Sequence, residues 1–255
     1  MSSQLPILVI TLAGQDERRA PLLARLESHG LAYQMVFGVD GRKGLPPEFA
    51  SQVDRGARHG LKGRTLTDPE LAGAFSHLES YRRMLQDGHD RVIVLEDDAI
   101  IGGAFAAFAR GEIDAPGDLV LFDHWKGSVR LPRRAPLTEK ISAYPVVLAP
   151  SLATGYAITR RGAQYMLDHA LPLRGPADWP CDITRLHTVM IHPRIVSHPE
   201  TTQEHSDLET GRGRMRQEAK ARQSRLERLL SRRHWAHEWG KLRSDRLPDE
   251  VRLEL

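Results

Sequence analysis

Four apolar residues, Val92–Leu95, three of them β-branched, run without a break into Glu96, Asp97 and Asp98. A continuous apolar run of this kind is what a strand carries when helices cover both faces of a parallel sheet. Carboxylates that follow it directly stand at the strand's carboxyl end, where open α/β sheets hold their ligands. This one segment therefore predicts an α/β fold and marks where its chemistry sits.

The rest of the chain supplies the units such a fold needs. Ile7–Leu12 reads as a strand, followed by a turn at Gly14 and Asp16 and a helix that Gly30 ends. Tyr33–Val39 is a second strand candidate, closing on Asp40 and Gly41. From Arg42 to Thr67 glycine, proline and charged residues predominate, which predicts a long surface loop with one short helix. A helix follows, with Thr67 or Asp68 able to cap it, Pro69 near its first position and Leu71, Phe75, Leu78, Tyr81 and Leu85 on one stripe, stopping at Gly88. Asp118–Phe122 and Ser151–Ile158 are further strands, and Ala163–His169 a short helix. The order predicts an open, mostly parallel sheet with helices on both faces.

Composition limits the partners. Among 255 residues, 40% are hydrophobic and 27% charged, values of a globular chain able to bury one sizeable core. The net charge of +3 conceals an asymmetry: residues 1–210 hold 23 basic and 26 acidic side chains, residues 211–255 hold 13 and 7. An acidic body without a phosphate-binding Walker loop argues against a nucleic-acid partner or a P-loop enzyme. The run Ile7–Leu12 lacks the basic leader and length of a signal peptide. No window offers the roughly 20 apolar residues of a membrane span. With a single cysteine, Cys181, this composition fits a cytoplasmic protein.

Three adjacent carboxylates repel one another unless a cation compensates. Mn²⁺ or Mg²⁺ is the natural compensator, since hard divalent cations take one or two carboxylates together with substrate phosphates. The alternative is a solvated acidic turn. Arg18 and Arg64 are arginines able to grip a diphosphate with planar, paired hydrogen bonds.

The residues 66–85 (LTDPELAGAFSHLESYRRML) followed by 92–100 (VIVLEDDAI) resemble glycosyltransferase family 25, in which Glu, a small pair and Ser-His precede a strand ending in Glu-Asp-Asp. Further segments are similar in order: ILVITLAGQDERR with Arg18, FGVDG with Asp40, Arg64 ahead of the helix, ATGYAITRRGAQYML, PADWPCD and IHPRIV. Departures are Ala72-Gly73 in place of Gly-Cys, Thr11 where asparagine is common, and His198 in place of a frequent glutamine.

The resemblance implies a GT-A-like nucleotide-diphospho-sugar transferase. Such an enzyme uses a UDP-sugar, often UDP-galactose, inverts the anomeric centre, and acts on a glycan or lipid-linked oligosaccharide acceptor such as lipopolysaccharide. It implies a donor site of Thr11, Arg18, Asp40, Arg64, Ser76, His77, Glu96 and Asp97, and a metal site of Asp98 and Glu96. Asp97 is alternatively an orienting residue, and His77 a structural hydrogen-bonding histidine. A late histidine often completes the metal site in such enzymes, which puts His198 and His205 forward; a solvated loop is the other reading of each. Inversion needs a base for the acceptor hydroxyl, and Asp178, then Asp182, are the candidate carboxylates, each with a competing helix-capping role.

The expected domain spans residues 1–210, and a basic helical extension spans 211–255. Met215, Ala219, Leu226 and Leu230 follow helical spacing, and Trp235 and Trp239 lie one turn apart. This stripe either docks on its own domain or makes peripheral contact with the cytoplasmic face of the inner membrane. A second expectation keeps the fold without turnover, as a nucleotide-sugar or carbohydrate-binding protein.

Overall fold

The computed structural model describes residues 4–57, 65–125, 127–199 and 232–254. In chain order the strands are β1 (Ile7–Thr11), β2 (Gln34–Phe37), β3 (Arg91–Glu96), β4 (Ile100–Ile101), β5 (Leu119–Leu121), β6 (Ser128–Val129), β7 (Ala135–Pro136), β8 (Ser142–Leu148), β9 (Gly155–Thr159), β10 (Thr188–His192), β11 (Val196–Ser197) and β12 (Asp245–Arg246). The helices are α1 (Asp16–Ser28), α2 (Pro47–Ala50), α3 (Asp68–Gln86), α4 (Gly103–Ala109), α5 (Arg160–Ala170) and α6 (Arg232–Leu242).

Local chemistry explains why α3 is where it is. Thr67 and Glu70 form a reciprocal capping box, Pro69 occupies the first turn, and Gly88 takes a positive φ of 76° just past the end. Thr159 caps α5 by accepting from the Gly162 N–H.

The main sheet runs β12-β6-β8-β10-β5-β9-β3-β1-β2, with β7 on β8. In its centre, β2, β1, β3, β5 and β10 share one direction, and β9 runs antiparallel between β3 and β5. The centre is thus mostly parallel, as expected. The antiparallel flank of β8, β6 and β12 goes beyond what the element order predicts.

Because successive side chains on a strand face opposite ways, the two faces bury different helices. Ile7, Val9, Ile93 and Leu95 meet Leu22 and Leu26 of α1 and Phe105 and Phe108 of α4. Leu8, Ile10, Val92 and Val94 meet Leu71, Phe75 and Leu78 of α3 and Ala163 and Met166 of α5. This double cover leaves the carboxyl ends of β1, β2, β3 and β5 as the sheet's accessible edge.

The C-terminal region departs from the expected helical extension. The 210/211 boundary and residues 211–231 lie outside the described residues. Arg232–Leu242 is helical as α6, but the chain after it is extended and returns to the domain. β12 pairs with β6, Val251 bridges Arg194, and the Leu253 carbonyl accepts from the Ala104 N–H in the first turn of α4 at 2.8 Å. On α6, Gly240 lies against Leu148 of β8, while Trp235 and Trp239 are exposed. Among the described residues no helix is long and apolar enough to cross a membrane.

Candidate functional site

β3 carries Glu96 to the sheet edge and a tight turn presents Asp97 and Asp98 before β4 begins. Asp97 faces inward: its Oδ2 accepts from Thr11 Oγ1 at 2.8 Å and its Oδ1 from Arg18 Nε at 2.7 Å. Arg18 also reaches Asp98 Oδ2 through Nη2 at 2.7 Å. Asp97 is therefore the orienting member of the triplet, tying the ends of β1 and α1 to the turn. Arg18 is already engaged by two carboxylates.

Glu96 is fixed from below. His77, buried in α3, meets Glu96 Oε1 through Nε2 at 3.2 Å and Tyr156 Oη through Nδ1 at 2.7 Å. The Tyr156 hydroxyl continues to Tyr81 at 2.8 Å. With the carboxylate accepting from Nε2–H, Nδ1 is the acceptor for Tyr156. His77 thus supports the acidic strand rather than facing open solvent. Burial pushes the Glu96 carboxyl up, but the His77 hydrogen bond, with the charge of Arg18, outweighs it and leaves the group below its usual range.

Asp98 differs. Burial and the neighbouring Glu96 and Asp97 charges raise its carboxyl to about 6 against the pull of Arg18. Its Oδ1 is buried and has no hydrogen-bond partner among the described residues. A buried anionic oxygen without a donor is costly, and a cation would relieve it. Among the described residues no group of three His, Cys, Asp or Glu is arranged to hold a metal ion. Asp98 and Glu96 are thus the carboxylates a divalent cation could use at this turn, and phosphate oxygens and water would have to supply the rest of its ligands.

The other expected residues separate. Asp40 lies beyond the end of β2 on the same edge, exposed, its carboxyl lowered to about 2 by hydrogen bonds from Arg42. Ser76 does not face the site. Its Oγ accepts from Val39 N at 2.9 Å and donates to the Ala72 carbonyl at 2.9 Å, so it pins the chain after β2 onto α3. Asp178 sits between Ala177, which lies beside Gly73 of α3, and Trp179, whose ring packs on Tyr156 with centroids 5.7 Å apart. That places its backbone on the shoulder next to His77. Asp182 is a correction: it caps a short 3-10 turn, accepting from Thr184 N at 3.0 Å. The next residue, Ile183, receives the Thr188 hydroxyl at 2.6 Å where β10 begins, the opposite end of the sheet from the triplet. Arg64 and His205 lie outside the described residues.

Three residues at this edge had no site role in the reading of the sequence or, for His198, only an open one. Asp123 follows β5 as Glu96 ends β3, is fully buried, and holds Arg194 and His198. Burial raises the Asp123 carboxyl, but the hydrogen bonds from His198 and Arg194 outweigh it and keep the group low. The signal was legible: a carboxylate directly after the apolar run Leu119–Phe122. Gly155 makes the convergence possible, since a Cβ there would stand 3.0 Å from Val196 and 3.1 Å from Leu95.

A family model described as glycosyltransferase family 25 (LPS biosynthesis protein) matches residues 4–182. Two curated relatives, "Probable inactive glycosyltransferase 25 family member 3" of Rattus norvegicus and "Inactive glycosyltransferase 25 family member 3" of Mus musculus, are each 32% identical over 95 residues. The match covers 36% of this chain and 17% and 16% of the relatives, so it spans about a sixth of their length. Among solved structures, mannose-1-phosphate geranyltransferase from Thermus thermophilus aligns over 68% of this chain and 62% of that one, at 14% identity and a TM-score of 0.30.

Proposed function

Because the chain belongs to glycosyltransferase family 25, we propose that it moves a hexose, galactose before others, from a UDP-sugar to a glycan or lipopolysaccharide acceptor with inversion. The observation that carries this reading is the partnerless buried oxygen of Asp98, set at the carboxyl end of β3 beside Glu96. Mn²⁺ or Mg²⁺, when bound there, neutralises charge developing on the diphosphate leaving group.

The chain's own residues do the rest. Glu96, held by His77, and Asp98, held by Arg18, keep their carboxylates aimed at the edge where the donor's ribose and diphosphate lie. Asp97 and Thr11 hold the turn in place. Preorganisation of this kind avoids reorganising charge during transfer. Asp178, on the shoulder beside Gly73, is the carboxylate assigned to take the acceptor hydroxyl's proton as that oxygen attacks the anomeric carbon. Asp40 and Arg64 are assigned to the donor, and His205 to the metal, by family resemblance alone. With such an acceptor, the enzyme works at the cytoplasmic face of the inner membrane.

A second reading, binding of a nucleotide-sugar without turnover, is favoured by the word "inactive" in the names of both curated relatives. One panel separates the two. UDP-, GDP- and CMP-sugars are screened by thermal shift with and without Mn²⁺, and released UDP is measured with and without glycan acceptors. A Mn²⁺-dependent shift with a UDP-sugar plus acceptor-dependent UDP release supports transfer. A shift without release supports the binding protein, and no shift with any donor contradicts both.

A further inference from the structure

Beside the triplet stands a second set of charged side chains that the family match, ending at residue 182, does not reach apart from Asp123. Asp123 accepts from Arg194 Nη1 at 2.7 Å on one oxygen and from His198 Nδ1 at 2.8 Å on the other. Arg194 is itself buried and pairs with Asp249 through Nη2. Its backbone N–H donates to the Glu250 carbonyl at 2.9 Å, and its carbonyl accepts from Arg252 N at 2.8 Å. A continuous chain of contacts therefore leads from the last residues through Arg194 and Asp123 to His198.

His198 ends close to the acidic turn. β11 pairs with β4 so that Val196 faces Ile101 and Ser197 faces Ile100, which brings His198 toward Ala99 and Asp98. Two hydrogen bonds from Ile195 N and Val196 N to the Phe122 carbonyl, at 3.2 and 3.4 Å, bind the same segment to the end of β5. The charge of Asp98 acts on His198, and that of Asp123 on Glu96. With Nδ1 turned to Asp123, Nε2 is the ring nitrogen left for a ligand, and no described residue bonds it.

We propose that His198 contacts the donor, its Nε2–H binding a diphosphate oxygen, and that Asp123 is the positioning residue that aims it. This rests on the UDP-sugar reading above. The carboxylates of Glu96, Asp97, Asp98 and Asp123 repel a diphosphate. Arg18 is engaged by Asp97 and Asp98, and Arg194 by Asp123 and Asp249. Among the described residues Arg18 Nη1 and the buried Arg194 Nε also lack a partner, but each guanidinium already faces two carboxylates, whereas His198 faces one and keeps Nε2 open. The C-terminal segment, by holding Arg194, becomes part of the donor site.

The test titrates UDP calorimetrically into the full chain, wild type against His198→Ala, His198→Gln, Asp123→Asn and Asp249→Ala, in Mn²⁺ and in EDTA. Thermal unfolding monitors the fold. His198→Ala is expected to weaken UDP binding roughly ten- to hundredfold in both conditions, the worth of a hydrogen bond to a charged group. His198→Gln, which retains an amide donor, is expected to recover part of that loss. Asp123→Asn is expected to weaken binding similarly, because the doubly protonated ring that gives one N–H to Asp123 and the other to the diphosphate loses its carboxylate partner, a change read from its ¹⁵N shifts. Should Asp123→Asn fail to fold, the exposed Asp249→Ala carries the positioning claim, with a loss of a few-fold expected and unchanged affinity overturning it. Wild-type affinity in His198→Ala overturns the donor contact. A loss confined to Mn²⁺ also overturns it, since His198 would then be a metal ligand. If the wild type binds no UDP in either condition, the donor reading itself fails, a result distinct from unchanged binding in the variants.

Discussion

Asp98→Asn is expected to make the ligand-free chain more stable at pH 7 while removing its metal-dependent binding of UDP. Burial and the charges of Glu96 and Asp97 raise the Asp98 carboxyl from 3.8 to about 6, although Arg18 pulls the other way. A folded-state pKa above the unfolded one means that the folded chain holds the proton more tightly. The resulting stabilisation is present below about 4 and is lost as pH rises to about 6. Two pH units at about 1.36 kcal/mol each set a ceiling of about 3 kcal/mol on the cost of ionised Asp98. The side chain is 27% exposed and its Oδ2 stays on Arg18, so about 1–2 kcal/mol is the working figure. An amide avoids that cost and can still accept from Arg18. At roughly 2–4 °C per kcal/mol for a chain of this size, the variant melts about 2–8 °C higher at pH 7 and within error of wild type at pH 4. The assay is thermal unfolding by circular dichroism from pH 4 to 8, without metal. A lower melting temperature at pH 7, or a gain that persists at pH 4, refutes the reasoning.

Other consequences are smaller in scope. Tyr156→Phe leaves His77 Nδ1 and the Tyr81 hydroxyl without their shared partner, and a loss of about 1–3 kcal/mol is expected in denaturant titration. Gly102→Ala places a methyl 2.6 Å from the Leu253 carbonyl oxygen. It is expected to displace the C-terminal segment from α4 at a cost of about 1–3 kcal/mol, seen as faster amide exchange at Ala104. Asp182→Ala is expected to cost about 1 kcal/mol of stability through its lost cap and to leave acceptor-dependent UDP release unchanged; a collapse of turnover without unfolding would restore Asp182 as a base candidate.

The sequence shows the centre of the fold because its determinants are local. Thr67, Glu70, Pro69 and Gly88 fix α3 within its own residues, and the apolar run before Glu96 fixes β3. The triplet is legible for the same reason. What the sequence did not disclose is pairing at long range. The flank of β6, β8 and β12 joins segments more than a hundred residues apart, and β6 and β12 have two residues each, too few to carry a period. The α4 segment GAFAAFA is apolar on all sides and shows no stripe, because the fold buries nearly all of it. Ser76 and Asp182 look functional as residue types, yet hydrogen bonding to neighbouring backbone consumes both. Asp123 obeys the rule that singled out Glu96, but its importance depends on Arg194 and His198, some seventy residues away in the chain.

The central claim is that the edge at Glu96 and Asp98 holds a cation together with a nucleotide diphosphate. Calorimetric titration of UDP into the wild-type chain, in Mn²⁺ and again in EDTA, tests it directly. Saturable binding that weakens at least about tenfold when the cation is withdrawn is the expected result. Binding of equal strength in both conditions, or none in either, contradicts it.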